Sequence, residues 1–278
     1  MKGTYLAPAK VNLLLKVLSK RDDGYHNIFS VVDLVSLYDV LHIEDDPSGR
    51  VVVEDDKALL PEGEKNTVYR AIMLVKKKFG VSRGARVFME KNIPIGSGLG
   101  GPSSDAATAL KAVAGIWGLD ISRADLMALG ASVGADVPLF LYGKPCVMEG
   151  IGERITPISL PLMHYLIVYP NVLLSTPEVY KRLRIVLTKG ENDIKLSGNL
   201  VTAFDVSRIL ENDLEDVGIL MCPTIKVVKE RLIASGSIGA LMSGSGSSVF
   251  GIFENETEAG RGSVSLDGTG SRFIVHSI

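Results

Sequence analysis

The first half of the chain begins with a pattern typical of strands. Residues 4–18 alternate unevenly between apolar and polar side chains and predict an early strand. The stretch 31–55, rich in Val, Ile and Leu, predicts two or three more strands. Residues 85–91 alternate with period 2, which places Val87 and Met89 on one face of a further strand.

Two stretches of the same half carry helix-start signals. Asn66 and Thr67 are suited to cap a helix that runs to Gly80. Ser122, with an acidic residue three positions later, resembles a capping box for another helix that ends near Gly134. Between these two stretches lies a glycine-rich loop that runs into an alanine-rich helix.

The second half has a different order of elements. It predicts strands and helices in six stretches: a strand at 164–169, helices at 177–187, 199–217 and 223–234, and strands at 247–253 and 272–277. A weakly patterned acidic segment separates the last two strands. This mixed order favours an α+β fold with two domains, residues 1–155 and 156–278, over regular βαβ repetition.

Composition and charge narrow the class of protein. The 278 residues include 30 basic and 32 acidic ones, a formal net charge of -2 without a long basic run, so neither a nucleic-acid partner nor a membrane is expected. Cys146 and Cys222 lie far apart without CxxC spacing, which argues against a disulfide framework or a zinc site. No long apolar stretch follows Met1, and the expected location is cytoplasmic.

The segment Pro94–Ser104, PIGSGLGGPSS, carries the strongest chemical signal. Its glycines allow the backbone to bring N–H groups close to a ligand. The helix that begins near Pro102 directs further amides to the same place, although proline itself lacks an N–H. Ser103 and Ser104 add hydroxyl groups able to reach a magnesium ion. Together these features predict a phosphate-binding loop.

Three other interpretations of the loop compete. Gly96, Gly98 and Gly101 match the GxGxxG pattern of dinucleotide-binding folds, but several strands precede the pattern here. A P-loop requires a lysine directly after the glycines, and none follows. A tight connection without a ligand is the third, but a plain turn rarely needs four glycines and two serines before a buried helix.

Three separated motifs resemble those of the GHMP kinase superfamily. They are PAKVNLLLKV at Pro8–Val17, PIGSGLGGPSSDAA beginning at Pro94, and MSGSGSSVF at Met242–Phe250. The resemblance implies a ribosomal-protein-S5-like N-terminal lobe and a ferredoxin-like C-terminal lobe with the active site in the cleft between them. It also implies phosphoryl transfer from ATP to an alcohol, with a divalent cation that is normally Mg²⁺.

Further stretches are similar to sequences found in those members of the superfamily that phosphorylate a cytidyl sugar-alcohol in non-mevalonate isoprenoid biosynthesis. They are GYH at Gly24–His26, GADVPLF at Gly134–Phe140 and MEGIGERITP at Met148–Pro157. Pro102 and Asp105 depart from the expected Gly and Asn of the loop. These departures concern the detailed phosphate contacts and leave the class of protein unchanged.

The resemblance implies an ATP site made of two stretches, with metal ligands left open. Its residues are Asn66, Thr67, Pro94, Ile95, Gly96, Ser97, Gly98, Leu99, Gly100, Gly101, Pro102, Ser103 and Ser104. Asn66 and Thr67 are expected to meet the adenosine as well as to cap their helix.

Lys10 and Asp136 are the expected catalytic pair. Asp136 is suited to accept the proton of the alcohol as a general base, or else it caps a helix or turn. Lys10, inside an apolar strand, either is a solvated lysine or holds Asp136 and the developing alkoxide charge. Asn12 shares the face of Lys10 by period-2 alternation and is suited to bind substrate.

Four residues are expected to bind the cytidyl substrate beside Asn12. The resemblance implies that Tyr25 and His26 hold the cytosine ring, with Tyr180 as the opposite wall of a stacking sandwich. Thr176, with Ser175, is expected to cap a helix, to touch the substrate, or both. Each of these side chains also has an ordinary structural explanation.

Two alternative functions remain at this point. One is another GHMP kinase, acting on mevalonate, homoserine or a sugar, and GYH at Gly24–His26 argues against it because those substrates carry no base to stack. The other is a catalytically silent ligand sensor, which the presence of both Lys10 and Asp136 argues against. The expected assembly is a monomer or weak homodimer.

Overall fold

The computed structural model describes residues 1–183 and 200–278. In this part of the chain two compact units form, each assembled from separate stretches. The first unit contains residues 1–9, 37–93 and 100–143, and the second contains residues 10–36, 94–99 and 144–278. These units interleave along the sequence, because the long strands β1 (Lys2–Lys20) and β2 (His26–Asp46) contribute residues to both. The division into domains at residue 155 stays a prediction.

The strands of the first unit follow the predicted alternation. The second half of β2 pairs antiparallel with β4 (Gly84–Glu90), and β3 (Val51–Asp55) runs parallel to β4 on its other side. Val87 and Met89 are buried on β4 whereas Phe88 between them is exposed, so the period-2 prediction is confirmed.

The helices of the first unit are α1 (Thr67–Phe79), α2 (Gly101–Ile116), α3 (Arg123–Val133) and α4 (Val137–Tyr142). Asn66 caps α1 by accepting hydrogen bonds from two backbone amides, and Gly80 ends it with φ 64°. Ser122 caps α3 through the amide of Asp125 at 3.1 Å. The sequence did not predict α4. Pro138 lies in its first turn, where a missing N–H is tolerated.

The second unit contains an antiparallel four-stranded sheet. Its order is β11 (Ser271–His276), β7 (His164–Tyr169), β10 (Val249–Phe253) and β9 (Gly239–Met242). The first half of β2 pairs with β5 (Cys146–Gly150), and β5 pairs with β6 (Arg154–Pro157). β1 pairs in parallel with the two-residue strand β8 (Glu211–Asn212). Strands β5, β6, β8 and β9 were not predicted.

The helices of the second unit correct one prediction. They are α5 (Thr176–Arg182), α6 (Ala203–Ser207), α7 (Glu215–Met221), α8 (Thr224–Ala234) and α9 (Glu256–Val264). The single helix predicted over 199–217 is wrong, because β8 separates α6 from α7 and the pairing of β8 with β1 outweighs local helix propensity. Residues 184–187 of the helix predicted at 177–187 lie outside the described residues.

The segment between β10 and β11 also contains more structure than its weak pattern indicates. Asn255 caps α9, because its side chain accepts a hydrogen bond from the amide of Glu258 at 3.0 Å. The helix packs on β7, β10 and β11. Both cysteines are buried, and within the described residues neither takes part in a disulfide. Among residues 1–183 and 200–278, helices long and apolar enough to span a bilayer are absent.

Candidate functional site

The predicted site residues are distributed over both units. The second unit contains the site residues of the first motif, of the first half of the loop and of the expected substrate site. They are Lys10, Asn12, Tyr25, His26, Pro94–Leu99, Thr176 and Tyr180. The first unit contains the rest: Asn66, Thr67, Gly100–Ser104 and Asp136.

In the second unit, the first half of the loop is held by its own carbonyl groups. The carbonyl oxygen of Ser97 accepts a hydrogen bond from the amide of Ser248 at 3.0 Å. The carbonyl oxygen of Gly98 accepts one from the hydroxyl of Ser243 at 3.0 Å. The two glycine-rich stretches therefore pack against each other.

Gly98 and Gly244 are required by this close packing. Gly98 has φ 80°, and a Cβ there would lie 2.0 Å from the carbonyl oxygen of Ser243. Gly244 has φ 57°, and a Cβ there would lie 3.0 Å from both the carbonyl oxygen of Gly98 and Nζ of Lys10. Part of the glycine content thus serves contacts between backbone segments, and it is not explained by phosphate binding alone.

Lys10 and Asn12 lie together on β1 and are both nearly buried. Nζ of Lys10 donates a hydrogen bond to Oδ1 of Asn12. Nδ2 of Asn12 donates to the hydroxyl of Ser30 at 2.9 Å, and the amide of Lys10 donates to the carbonyl oxygen of Leu99 at 3.0 Å. Since Lys10 is only 5% exposed, the interpretation of a solvated strand lysine is wrong.

In the first unit, the loop continues into the start of α2. Gly100 precedes the helix with φ 78°, and its carbonyl oxygen accepts hydrogen bonds from the amides of Ser103 and Ser104. The hydroxyl of Thr67 donates to the carbonyl oxygen of Pro102 at 3.0 Å, which fixes the start of α1 to the start of α2. Because Pro102 has no N–H and two amides are used inside the helix, few backbone donors at this end are left for a ligand.

Ser103 and Ser104, at the end of the loop, differ in exposure. Ser104 is completely buried, and its hydroxyl has no hydrogen-bond partner among the residues described. Ser103 is half-buried, and its hydroxyl lies 3.8 Å from where a Cβ of Gly134 would stand. Ser103 is therefore the better placed of the two to meet a ligand, and it lies beside the GADVP segment that contains Asp136.

Asp136 occupies the N-cap position of α4, but its side chain accepts no hydrogen bond from the helix. Its backbone lies in the right-handed helical region and its side chain is half-buried. A capping role accordingly does not explain why an aspartate stands here. A carboxylate left without a cap bond is available for other chemistry.

Asp105 lies in a buried ionic cluster with Asp39 and Lys91. Nζ of Lys91 donates to both carboxylates, and all three side chains are nearly inaccessible to solvent. Asp39 also accepts hydrogen bonds from the amides of Asn92 at 2.6 Å and Ile93 at 2.8 Å, directly before the loop. Asp105 is only 1% exposed, so the departure at this position concerns a buried ionic cluster beside the ends of the loop.

Burial sets the charge of this cluster. Burial, together with the negative charge of Asp39, raises the pKa of Asp105 to about 8, although Lys91 opposes the change. Burial acts against the charged form of Lys91, but the two neighbouring carboxylates raise its pKa. At neutral pH the raised pKa favours the protonated form of the Asp105 carboxyl group beside Lys91.

Two of the three aromatic residues expected to bind the cytosine ring, His26 and Tyr180, are in contact with each other. The ring centroids of His26 and Tyr180 are 5.0 Å apart with an interplanar angle of 31°, and Tyr25 is 57% exposed. Burial and the charge of Lys20 lower the pKa of His26, which favours the neutral imidazole. Since rings at 5.0 Å are in van der Waals contact, no base fits between His26 and Tyr180 in this arrangement.

Thr176 begins α5, and its hydroxyl forms a 2.7 Å hydrogen bond with the hydroxyl of Ser245. Ser175 precedes the helix as N-cap without a side-chain cap bond, so the capping role expected for this pair is not seen in its side chain. Ser245 belongs to the third motif, and the contact links that motif to the expected substrate site.

Sequence reasoning missed Asn212 and Glu215. Nδ2 of Asn212 donates to the carbonyl oxygens of Met242 and Gly244, each at 2.8 Å, and Oε1 of Glu215 accepts from the amide of Met242 at 2.9 Å. Both residues lie in the stretch wrongly predicted as one helix. The signal that was overlooked is a short polar run, ENDLED, in which a helix would leave its asparagine no defined partner.

The chain matches two family descriptions in succession, GHMP kinases N terminal domain over residues 66–144 and GHMP kinases C terminal over residues 183–268. It is 40% identical over 277 residues to a 4-diphosphocytidyl-2-C-methyl-D-erythritol kinase of Syntrophus aciditrophicus, covering 98% of both proteins. A kinase of the same name from Syntrophotalea carbinolica is 41% identical over 253 residues, which cover 91% of this chain and 90% of the relative.

A solved structure described as 4-(cytidine 5'-diphospho)-2C-methyl-D-erythritol kinase superposes with a TM-score of 0.80. It is 34% identical in sequence, and the superposition covers 99% of both chains.

The α+β fold and the paired glycine turns therefore define a small-molecule kinase of the GHMP class, as the three motifs predicted. The chain belongs to the family of the 4-diphosphocytidyl-2-C-methyl-D-erythritol kinases. With a GHMP fold, the glycine pattern is not that of a dinucleotide-binding domain, and the alternative of an NAD-binding protein is wrong. As a kinase the chain uses ATP.

Proposed function

We propose that this enzyme transfers the γ-phosphoryl group of ATP to the 2-hydroxyl of 4-diphosphocytidyl-2-C-methyl-D-erythritol, in non-mevalonate isoprenoid biosynthesis. The observation that carries the proposal is the 40% identity over 98% of the chain with a kinase named for that substrate. The GYH stretch at Gly24–His26 supports a substrate that contains a base.

Asp136 accepts the proton of the substrate hydroxyl in this proposal. A tertiary alcohol is a weak nucleophile unless its proton is removed as the new bond forms. The carboxylate of Asp136 is half-buried and makes no cap bond, which supports this role. Lys10 stabilises the developing negative charge, and its position in a buried strand beside two glycine turns supports that role.

ATP binds along the glycine-rich loop, with Asn66 and Thr67 near the adenosine. Thr67 supports this assignment because its hydroxyl is bonded to the backbone of Pro102 at the start of α2. The described residues contain no preformed group of three His, Cys, Asp or Glu side chains suited to a metal. Mg²⁺ usually binds through substrate phosphates with one or two protein groups, and the hydroxyl of Ser103 fits that kind of site. When bound, the ion would neutralise charge on the transferring phosphate.

The cytosine ring stacks on the wall formed by His26 and Tyr180, with exposed Tyr25 on its other side. This differs from the sandwich predicted between Tyr25 and Tyr180 in that His26 and Tyr180 act as one surface. Asn12 and Thr176 contact the remainder of the substrate. The enzyme acts in the cytoplasm as a monomer or weak homodimer, with domains 1–155 and 156–278 and no nucleic-acid or membrane partner.

The test is ADP release with ATP and Mg²⁺ against a panel of alcohols. We expect turnover with the cytidyl compound to exceed turnover with mevalonate, homoserine and simple sugars by several orders of magnitude in kcat/KM. Equal or higher activity with mevalonate or homoserine would show that the substrate assignment is wrong while the class of enzyme stands. A uridyl analogue serves as the matched control for recognition of the base.

A further inference from the structure

Asn212 is a buried residue whose amide group donates both of its hydrogens to the third motif. It is 7% exposed, and its two amide hydrogens are donated to the carbonyl oxygens of Met242 and Gly244 at 2.8 Å each. Its Oδ1 accepts a hydrogen bond from the amide of Leu214 at 2.9 Å. An asparagine amide has two donors, so both of them are committed to the glycine turn.

The turn held by Asn212 contacts the expected reaction machinery in the same unit. Gly244, whose carbonyl group accepts from Asn212, lies close to Lys10 and Asn12. A Cβ added to Gly244 would lie 3.0 Å from Nζ of Lys10 and 3.3 Å from Oδ1 of Asn12. Ser243, inside the same turn, donates its hydroxyl to Gly98 and accepts the amide of Asn12 at 3.3 Å. A shift of this turn would therefore move the surroundings of the lysine ammonium.

The opposite side of Asn212 is anchored to the strand that contains Lys10. Leu15 on β1 pairs with Asn212 on β8, and the amide of Asp213 donates to the carbonyl oxygen of Leu15 at 2.9 Å. The asparagine consequently connects the backbone of β1 to the turn that surrounds the end of the Lys10 side chain. Its side-chain hydrogen bonds run to Met242, Gly244 and Leu214.

We infer that Asn212 is a positioning residue for phosphoryl transfer, which holds the Met242–Gly244 turn so that the ammonium of Lys10 and the carbonyl of Gly98 keep their places. The inference rests on the role of Lys10 given under the proposed function. Its physical basis is that two buried carbonyl groups would lose their partners together if the amide were removed. A displacement of about 1 Å at a reacting group is enough to cost roughly 100-fold in rate.

The test compares Asn212→Ala and Asn212→Asp with Asp213→Ala as a matched control. Asp213 is the next residue, and its side chain accepts hydrogen bonds from two residues of β1, from the amide of Val17 at 2.8 Å and from Nζ of Lys16 at 3.1 Å. Asn212→Asp keeps the size and the acceptor oxygen and removes both donors. We expect kcat per folded enzyme to fall at least tenfold in both Asn212 variants and less than threefold in Asp213→Ala, although all three lower the melting temperature.

A double variant with Lys10→Ala shows whether Asn212 acts through the lysine. We expect Asn212→Ala to reduce kcat less than threefold in the Lys10→Ala background, because the group that it positions is gone. Multiplicative losses, or equal kcat in the Asn212 variants and Asp213→Ala, would overturn the inference. Normal kcat in Lys10→Ala alone would instead remove the proposed role of Lys10, so the two failures are distinguishable.

Discussion

The imidazole of His26 lies against the ring of Tyr180, with ring centroids 5.0 Å apart. His26 begins β2 and Tyr180 lies near the end of α5, more than 150 residues later in sequence, and both belong to the second compact unit. Tyr180 also packs against the apolar core of that unit. The pair therefore forms one supported aromatic surface, from which the first prediction follows.

Removing the ring of Tyr180 should weaken binding of the cytidyl substrate. We expect Tyr180→Ala to raise KM for that substrate by roughly tenfold or more, since stacking of a base on an aromatic ring contributes on the order of 1–3 kcal/mol. Tyr180→Phe keeps the ring and should change KM little, and KM for ATP should stay constant in both variants. Steady-state kinetics and melting temperature on the same preparations test this. A lower melting temperature with constant KM would show that Tyr180 is only a core residue.

Replacing the carboxylate of Asp136 should nearly abolish turnover. We expect Asp136→Asn to lower kcat by at least 100-fold with little change in the Kd for ATP, because loss of a general base typically costs about 10²–10⁴-fold. The folded state should be as stable as in the wild type, since the side chain makes no cap bond that the substitution would remove. Turnover and calorimetric ATP binding are the measurements. Near-normal turnover would exclude Asp136 as the base.

Replacing the two aspartates of the buried cluster around Lys91 should change the free energy of unfolding by different amounts. Because the pKa of Asp105 is raised to about 8, Asp105→Asn replaces a protonated group with a neutral one and should change the free energy of unfolding by less than about 1 kcal/mol. Asp39→Asn breaks the buried ion pair with Lys91 and should cost roughly 3–5 kcal/mol. Urea denaturation of both variants at pH 7 measures the difference. Equal destabilisation would contradict the assignment of charge within the cluster.

Stability should fall as pH rises through the titration of Asp33. This buried aspartate accepts hydrogen bonds from the hydroxyls of Tyr165 and Ser277, each at 2.7 Å, yet burial raises its pKa to about 6 from 3.8. A raised carboxyl pKa means that the native state binds more protons than the unfolded state between these two values. The free energy of unfolding should therefore decrease by up to about 3 kcal/mol between pH 4 and pH 6 and then level off for this group.

The control for Asp33 is Asp33→Asn, which keeps an acceptor for both hydroxyls and cannot ionise. Urea denaturation across pH 4.5 to 7.5 should show a smaller decline in the variant than in the wild type. If the two curves run parallel, Asp33 is not the titrating group.

Local sequence was sufficient to predict a structural feature wherever the residues that cause the feature lie within one short stretch of chain. The cap at Asn66, the turn at Gly80 and the alternation of Val87 and Met89 are all confirmed, because caps and periodicity act over a few neighbouring residues. The three motifs likewise determined the class of enzyme. Their glycines and serines are recognisable as letters in the sequence, without any knowledge of what they touch.

Tertiary structure decided everything that depends on a partner distant in sequence. The predicted helix over 199–217 failed because β8 pairs with β1, some 200 residues away, and Asn212 gained a role that no local pattern indicates. The side chain of Asp105 joins a buried ionic cluster with Asp39 and Lys91. The ring of His26 contacts the ring of Tyr180. Burial and contact energies depend on which segments the fold brings together, so the sequence determined the kinase class while the fold determined how its residues are supported.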